Sequence, residues 1–405
     1  MRFALTDEHR ELARTVHRLL VERRGAFPPV FGSSAGPDQD LWRELAGLGL
    51  LGLTVPERFG GAGAGLLEAA LVAEQAGAAL PPVPYLPAAV ASAVLAEAQG
   101  DDSGGPGAEI LQGITGGSLL AVPAWETFPR TVVGRHRPDA LRLAGGRVSG
   151  SLTAVPYGRD ADVLVAVAGG VLVSLRLDRP GVERTALDGL DVVERVAAIE
   201  LASVDAHVLG PGEFGGRTLA AVRTLFAAEL VGLAGQCVDS AVTYAGERHQ
   251  FGRPIGSFQA VKHTLADRHA QVDAARLLLH RAAATGDPHA AGLAVQAAGD
   301  AADAASADNL QTHGGMGFTW EASAHVLLKR ARARRALLGT SARQLDAIAD
   351  RLLTSRTNPL ARSRVSARSG ISPLPSSARP APSASLPSSA RPAPSASLPS
   401  SDRPA

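Results

Sequence analysis

Apolar residues recur at helical spacing along the first part of the chain. Thr6-Asp7-Glu8 supplies an N-cap oxygen and early acids, and leucines and valines then follow at intervals of three and four residues. A second helix is predicted to begin near Asp38, and further helices near residues 66–80 and 85–97. Residues 1–119 are therefore predicted to form an all-helical domain.

The pattern changes after residue 119 and changes back near residue 213. Short apolar runs at 140–143, 163–168 and 171–177 are bounded by Gly-Gly, Asp and Pro, which predicts a compact antiparallel β domain over 120–212. Helical spacing then returns, with long helices near 216–247, 257–285, 288–313 and 322–354. Leu265, Val272 and Leu279 share a face, which favours a four-helix bundle over 213–355.

The C-terminal segment has a different character. Residues 374–385 are repeated residue for residue as 386–397, and their Pro, Ser, Ala and Arg cannot bury a core. Residues 356–405 are predicted to be a disordered Pro/Ser/Ala repeat tail. An inert extension is favoured over a partner-binding segment.

Composition narrows the functional classes. Hydrophobic residues make up 45% and charged residues 20% of the 405 residues, with a net charge of +1, which argues against nucleic acid as a partner. Cys237 is the sole cysteine, so neither an intrachain disulfide nor a cysteine-based metal cluster is expected. No apolar run approaches about 20 residues, and the N-terminus is unlike a secretory signal. A cytoplasmic protein without a membrane span is predicted.

The segment from Tyr244 to His263 carries the most specific candidate chemistry. Phe251-Gly252 is predicted to end one helix, and Ser257 to cap the next. Arg248, Gln250 and Phe251 are thereby gathered at one corner, where a cation, an amide and a ring suit an anionic aromatic ligand such as a dinucleotide. From chemistry alone, a helix–loop–helix corner with a surface arginine fits equally well.

Three blocks in this order resemble the acyl-CoA dehydrogenase family. They are residues 42–57 followed by Phe59-Gly60-Gly61, residues 244–267, and residues 309–320, which read Asn-Leu-Gln-Thr-His-Gly-Gly-Met-Gly-Phe-Thr-Trp. The likeness covers about residues 1–354. It implies the family's fold, which is mostly α with a central antiparallel β domain between an N-terminal helical domain and a C-terminal four-helix bundle.

The resemblance also implies FAD, an acyl-CoA substrate and an electron-transfer acceptor. In the family a carboxylate removes the α-proton of the thioester while the β-hydrogen leaves as hydride to the flavin. The positions that match the family's contacts to another subunit's FAD are Arg248, Gln250, Phe251, Ile255 and Phe258, together with Gln311, Gly314 and Gly315. The alternative for the glycines is an ordinary interhelical turn, and His313 is interpreted as a packed turn residue.

The family's catalytic base has no counterpart here. Leu338 stands at the usual glutamate position, and Val222 stands 26 residues before Arg248, where other members carry the base. Glu229 is the nearest carboxylate on that helix, but it is displaced by about 10 Å along the axis and is interpreted as a structural acid. The catalytic residue is therefore left unknown.

The β domain departs from the family as well. Residues 121–126, Ala-Val-Pro-Ala-Trp-Glu, stand near the position of its flavin loop, and Pro156 stands where a threonine normally meets the flavin. Proline has neither the N–H nor the hydroxyl that such a contact needs.

Three hypotheses follow from this uneven survival of motifs. The first is a flavin-dependent acyl-CoA dehydrogenase subunit that completes the site of a second, unlike subunit, with a homo-oligomer left open. The second is a catalytically silent scaffold or acyl-CoA-binding subunit of the same fold. The third and weakest is an enzyme that uses reduced flavin and oxygen.

Overall fold

The computed structural model describes residues 5–23, 36–101, 104–134 and 136–339, and beyond these residues 345, 346, 348, 349 and 353. The predicted tail at 356–405 and the predicted extension of the last helix from 340 to 354 lie essentially outside the described residues. The chain divides between residues 352 and 353, and the described residues from 5 to 349 belong to the first compact unit.

Five helices form the N-terminal part of the first unit. They are α1 (Asp7–Arg23), α2 (Gln39–Gly47), α3 (Leu66–Ala79), α4 (Tyr85–Gln99) and α5 (Pro106–Thr115). Thr6 caps α1 as predicted, since its hydroxyl oxygen accepts from the N–H of His9. Helix α2 begins at the predicted place, where Asp38 accepts from two backbone N–H groups of the first turn. Helix α5 was not predicted. It begins with proline at its first position and buries Ile110, Leu111 and Ile114.

Eight strands follow in two four-stranded sheets. One sheet has the order β1–β4–β5–β8, and the other has the order β2–β3–β7–β6. The strands are β1 (Ala121–Pro123), β2 (Leu141–Ala144), β3 (Arg147–Pro156), β4 (Val163–Ala168), β5 (Val171–Arg176), β6 (Val182–Leu187), β7 (Val196–Asp205) and β8 (His207–Pro211).

The pairing within these sheets departs from the prediction at one place. Strand β1 pairs with β4 in parallel, with Ala121 opposite Val163, whereas every other pair in the two sheets is antiparallel. A parallel pair needs a long crossover connection, and β2 and β3 lie in the chain between β1 and β4.

Four long helices close the unit. They are α6 (Gly216–Glu247), α7 (Gln259–Thr285), α8 (Pro288–His313) and α9 (Ala324–Leu338), and a two-stranded hairpin of β9 (His249–Gln250) and β10 (Arg253–Pro254) joins α6 to α7. Leu265, Val272 and Leu279 are all buried on one face of α7, as predicted. The changes of element type after residues 115 and 211 match the predicted order, while the domain boundaries themselves stay a prediction.

Helix α6 is the central helix of this unit. It packs against α3, α4, α7, α8 and α9, and it is buried on several faces, as expected for a helix that is apolar all round. By length and composition this helix could cross a membrane, but 78% of its most apolar 18-residue stretch is buried inside the protein. A buried core helix accounts for that apolarity.

Helices α3 and α6 approach closely through glycines. A Cβ on Gly232 would lie 1.8 Å from the backbone oxygen of Glu74, and a Cβ on Gly77 would lie 2.0 Å from that of Glu229. Because the opposing atoms belong to the backbone, no side-chain rotation can relieve the overlap. The two helices can cross here only with glycine on both sides.

We therefore expect Gly232→Ala to lower the free energy of unfolding by about 1–3 kcal/mol, since the helices must separate to admit one methyl group. Gly246→Ala on the same helix is the matched control, because a Cβ there meets nothing within 4 Å. It should raise stability by roughly 0.5–1 kcal/mol through helix propensity. Denaturant unfolding followed by circular dichroism tests both, and equal midpoints for the two variants would contradict the packing argument.

Candidate functional site

The predicted corner is a tight hairpin, not a direct helix–turn–helix junction. Helix α6 ends at Glu247, in agreement with the predicted bounds 216–247, and Arg248 already has extended backbone angles, so Phe251-Gly252 does not end this helix as predicted. Phe251 and Gly252 both have positive φ, of 53° and 76°, and form the two-residue turn between β9 and β10. A two-residue hairpin favours positive φ because its twist then matches that of the strands.

The predicted cap is also wrong. The hydroxyl of Ser257 donates to the carbonyl oxygen of Pro254 at 2.7 Å, and α7 begins two residues later, after Phe258. The hydroxyl is satisfied within the 3₁₀ turn at 255–257 and does not meet the α7 N–H groups.

The hairpin places two predicted residues on one face. Gln250 pairs with Arg253, and the N–H of Ile255 donates to the carbonyl of Arg248 at 2.8 Å. Because side chains alternate along a strand and directly opposed residues share a face, Arg248 and Gln250 lie together. Arg253 lies on the same face, although sequence reasoning did not select it. The side chain of Ile255, also predicted, instead packs against α6 and α7.

Aromatic rings flank this face. Phe251 at the turn is 91% exposed, and its ring meets that of Phe258 edge-on at 6.1 Å between centroids. The guanidinium of Arg253 lies 4.1 Å from the centroid of the Phe258 ring. An exposed ring and cations on one surface suit a ligand that carries both an aromatic system and negative charge.

The second predicted motif lies at the same end of the bundle. Helix α8 ends at His313, whose ring stacks on that of Tyr244 at 4.2 Å between centroids. Nδ1 of His313 lies 2.9 Å from the carbonyl oxygen of Asn309, and the residue is half-buried, in agreement with a packed turn residue. The structure thus brings the 248–258 corner and the 311–315 turn to neighbouring positions on one chain.

The fold of the chain requires glycine at one of the two predicted positions of this turn but not at the other. Gly314 has φ 58° and ψ −137°, a conformation that only glycine adopts readily. Gly315 does not have positive φ, and a Cβ there would meet nothing within 4 Å. The fold of this chain therefore explains Gly314, while Gly315 is open to the approach of a group from outside the chain.

Neither position of the family's base carries a titratable group. Leu338 is the last residue of α9 and is 5% exposed, and Val222 is fully buried on α6. Both are aliphatic, so neither can accept a proton from a substrate carbon.

Glu229, the nearest carboxylate on α6, belongs to a buried ion network. Arg334 donates through Nε to Glu229 at 2.5 Å and through Nη1 and Nη2 to Glu194 at 2.7 and 2.8 Å. Arg330 lies 3.3 Å from Glu229 and 2.6 Å from Asp191. Three carboxylates and two guanidinium groups thus join the β domain to α6 and α9.

The arginines decide the charge state of Glu229. Burial favours the neutral acid, but the attraction of Arg334 and Arg330 outweighs burial and holds the pKa of this carboxyl below its ordinary value. Asp191 behaves alike, since Arg330 and Arg334 lower its pKa against the same desolvation. An ionised carboxylate bonded to two arginines is a structural acid and a poor proton acceptor, as the sequence reasoning inferred.

The β-domain side of the base position is in direct contact with α9. The N–H of Gly134 donates to the carbonyl of Leu337 at 2.9 Å, and a Cβ on Gly134 would lie 2.1 Å from Cα of Gly339. A second contact fixes the same loop, because Arg223 of α6 donates to the carbonyl oxygens of Thr131 and Pro288 at 2.7 and 3.0 Å. A planar ring cannot enter between Gly134 and Gly339 in this arrangement.

Glu126 fastens the start of this loop to strand β3. Its carboxylate accepts from the N–H and the hydroxyl of Thr153, at 2.5 and 2.8 Å, and from Arg137 at 3.0 Å. Residues 121–126 stand near the position of the family's flavin loop. The inward turn of Glu126 was not predictable, because its partners are distant in sequence.

A cavity of about 440 Å³ lies beside Leu338. Its buried lining is aliphatic and includes Val132, Val133 and Val295, and Arg130, Arg223 and His289 also line it. No carboxylate is among its described lining residues. Its size and its mixture of apolar and cationic groups are typical of small-molecule sites.

Two family models match the chain. The acyl-CoA dehydrogenase N-terminal domain matches residues 6–100, and the acyl-CoA dehydrogenase C-terminal domain matches residues 216–353. Acyl-CoA dehydrogenase IpdE2 of Mycolicibacterium smegmatis is 32% identical over 343 residues, which cover 84% of this chain and 97% of that protein. The chain belongs to the acyl-CoA dehydrogenase family, whose members are oxidoreductases that carry FAD.

Two solved structures share this fold over nearly their whole length. The ChsE4–ChsE5 complex from Mycobacterium tuberculosis matches with 27% identity and a TM-score of 0.75, covering 88% of this chain and 100% of that one. A variant of the steroid ACAD Tcur3481–Tcur3483 matches with 28% identity and a TM-score of 0.74, covering 89% and 99%. The fold and the family expected from the sequence are thereby confirmed.

The ion network gives a prediction for stability. We expect Glu229→Gln to lower the free energy of unfolding by about 3–5 kcal/mol at pH 7, because it leaves a buried guanidinium without its counter-charge. Glu213 is an exposed acid without an ion pair among the described residues, so Glu213→Gln is the control and should leave the midpoint of denaturant unfolding unchanged.

The variant Glu229→Gln also allows a prediction about the pH dependence of stability. Because the folded pKa of Glu229 is lowered, its contribution is complete above the ordinary value of 4.5 and is lost as the pH falls below it. The difference in free energy of unfolding between wild type and Glu229→Gln should decrease steadily from pH 4.5 downwards, as measured in urea titrations. A gap that stayed constant to pH 3 would show that Glu229 is not the ionised partner.

Proposed function

We propose that this chain is one subunit of a hetero-oligomeric, flavin-dependent acyl-CoA dehydrogenase, which oxidises an acyl-CoA thioester between Cα and Cβ. In this proposal the corner at 248–258 and the turn at 311–315 contact FAD held mainly by an unlike partner subunit of the same family. The partner supplies the carboxylate base. FAD supplies the hydride acceptor, and its electrons pass on to an electron-transfer acceptor.

The observation that carries the proposal is the contrast between the two ends of the bundle. At the end with the base positions, Leu338 and Val222 are aliphatic and Glu229 is committed to two arginines. At the other end Arg248, Gln250 and Phe251 are exposed, and the turn ends in an uncrowded Gly315. This contrast supports a cofactor contact at the exposed end of this chain and a base that another subunit supplies.

A cofactor fits these two places unequally. The exposed corner offers cations and a ring without crowding, which suits a dinucleotide. On the inner side, the contact between Gly134 and Gly339 leaves no gap for a ring, and Pro156 lacks the N–H and hydroxyl a flavin contact requires. This difference supports a shared cofactor at the outer surface.

Two similar proteins support assembly and a substrate class. The ChsE4–ChsE5 match is a complex of two named components, and the Tcur3481–Tcur3483 match is described as a steroid ACAD. By similarity, we propose a partner of the same family and a bulky acyl group that includes a ring system. We also propose that the assembly works in the cytoplasm.

A second candidate function is a silent acyl-binding subunit. The cavity of about 440 Å³ beside Leu338 favours it, because an apolar pocket with cations in its lining can hold an acyl group although no base is present. In that case the chain would bind acyl-CoA without changing any flavin spectrum, even with a partner present.

Flavin loading separates these functions. The chain purified alone is expected to hold little flavin, whereas the chain co-purified with a family member that has the glutamate should show a full flavin spectrum that acyl-CoA bleaches under anaerobic conditions. Full loading and acyl-CoA oxidation by the lone chain would refute the shared site. Acyl-CoA binding without bleaching in the mixture would favour the silent subunit. Oxygen consumption with reduced flavin would instead support an enzyme that uses reduced flavin and oxygen.

Gly315 allows a sharper test of the shared cofactor. Gly315→Val should leave the melting temperature of the lone chain unchanged within about 2 °C, because a Cβ there has no atom of the described residues within 4 Å. In the complex it should reduce flavin content at least about tenfold, because a branched side chain blocks close backbone approach. Gly246→Val, in the exposed last turn of α6, is a control for an added side chain elsewhere. Undiminished flavin in the Gly315→Val complex would exclude this turn from the cofactor site.

A further inference from the structure

We propose that Arg253 is a second phosphate-binding cation of the corner, and that the face shared by Arg248 and Arg253 selects a ligand with two adjacent phosphates over one with a single phosphate. This inference deepens the proposed function and rests on it, since it assigns the phosphate recognition of the same site. It adds a residue that the sequence motif did not single out.

The hairpin register places the two arginines together. Arg253 lies directly opposite Gln250, and Arg248 precedes Gln250 by two residues with extended backbone. All three side chains therefore leave the same face, and the Cα atoms of Arg248 and Arg253, as diagonal neighbours, are about 7–8 Å apart. Two flexible guanidinium groups at this separation can reach neighbouring phosphates of one diphosphate.

Neither arginine is neutralised within the described part of the chain. Both are exposed, and neither forms an ion pair with a described carboxylate. On α7, which follows directly, Arg268 and Arg276 are instead bonded to Asp308 and to Glu74 and Asp273. Two adjacent unneutralised cations repel each other, so their conjunction favours a ligand whose negative charge is spread over two neighbouring groups, such as two linked phosphates.

The guanidinium of Arg253 is also oriented in advance. It lies over the Phe258 ring at 4.1 Å, and that ring is held edge-on by Phe251. Stacking restricts a side chain that would otherwise be free at the surface, so less conformational entropy is lost on binding. A guanidinium over a ring can still direct N–H groups away from the ring, where they can fork onto phosphate oxygens.

A dinucleotide such as FAD carries two linked phosphates, whereas FMN and AMP carry one. Arg248 alone would serve either class, while two arginines on one face distinguish them. Adenosine diphosphate is a suitable probe, since it presents two adjacent phosphates without a flavin. Its binding can be measured on this chain alone, without a partner subunit.

The experiment titrates the full chain with ADP and with AMP by isothermal calorimetry at low salt. Wild type is expected to bind ADP about tenfold more tightly than AMP. Arg253→Gln should abolish that preference by weakening ADP and leaving AMP nearly unchanged, and Arg253→Lys, which keeps the charge without the fork, should retain part of it. Arg281→Gln, an exposed arginine near the far end of α7, is the control and should behave as wild type.

Equal affinities for ADP and AMP in wild type, failure of wild type to bind ADP, or an undiminished preference in Arg253→Gln would each overturn the inference. Because Arg253 is exposed, its variants are expected to keep the wild-type melting temperature, which is measured alongside. Flavin loading of the complex tests the proposed function separately. A complex that loads flavin while the lone chain shows no diphosphate preference would retain the function and reject only the role of Arg253.

Discussion

The arrangement of this protein depends on the bidentate bonding of Arg334 to two carboxylates from different parts of the chain. Glu194 comes from the β domain and Glu229 from the central helix α6, while Arg334 stands on α9 and is 1% exposed. Burying a guanidinium is costly unless its donors are all engaged, and here two carboxylates satisfy it. Once this pairing forms, the β domain, α6 and α9 are fixed relative to one another, and with them the end of α9 that carries Leu338.

This network also explains why Glu229 does not replace the missing base. A general base near neutral pH needs a carboxylate whose pKa is raised by a dry surrounding and is free of positive partners. Glu229 has the dry surrounding but also two arginines, and the arginines prevail. The aliphatic Leu338 and the closed contact at Gly134 belong to the same picture. Buried ion pairs and close backbone contacts hold the inner end of the bundle together, whereas cations, a ring and an uncrowded glycine are exposed at the hairpin end.

Much of the fold was predictable because it follows from local pattern. The spacing of apolar residues located α6, α7 and α8 and the start of α2, and the side chain of Thr6 identified the start of α1. The parallel pairing of β1 was not predictable, since it depends on where a strand from one part of the chain lies after a long crossover. The hairpin was not predicted, because a positive φ is rare for a residue other than glycine, such as Phe251. Its two strands are also very short, so the sequence contains almost no strand pattern that could reveal their pairing.

The sequence by itself determined the family, the order of helical and β regions, and the absence of a titratable group at residues 338 and 222, since identity at a position needs no coordinates. Only the tertiary structure decided the ion partners and charge state of Glu229 and the membership of Arg253 in the corner. Both depend on distances between residues remote in sequence or on the side of a strand from which a side chain leaves. Charge state and ligand reach are properties of surroundings, and surroundings are assembled only when the chain folds.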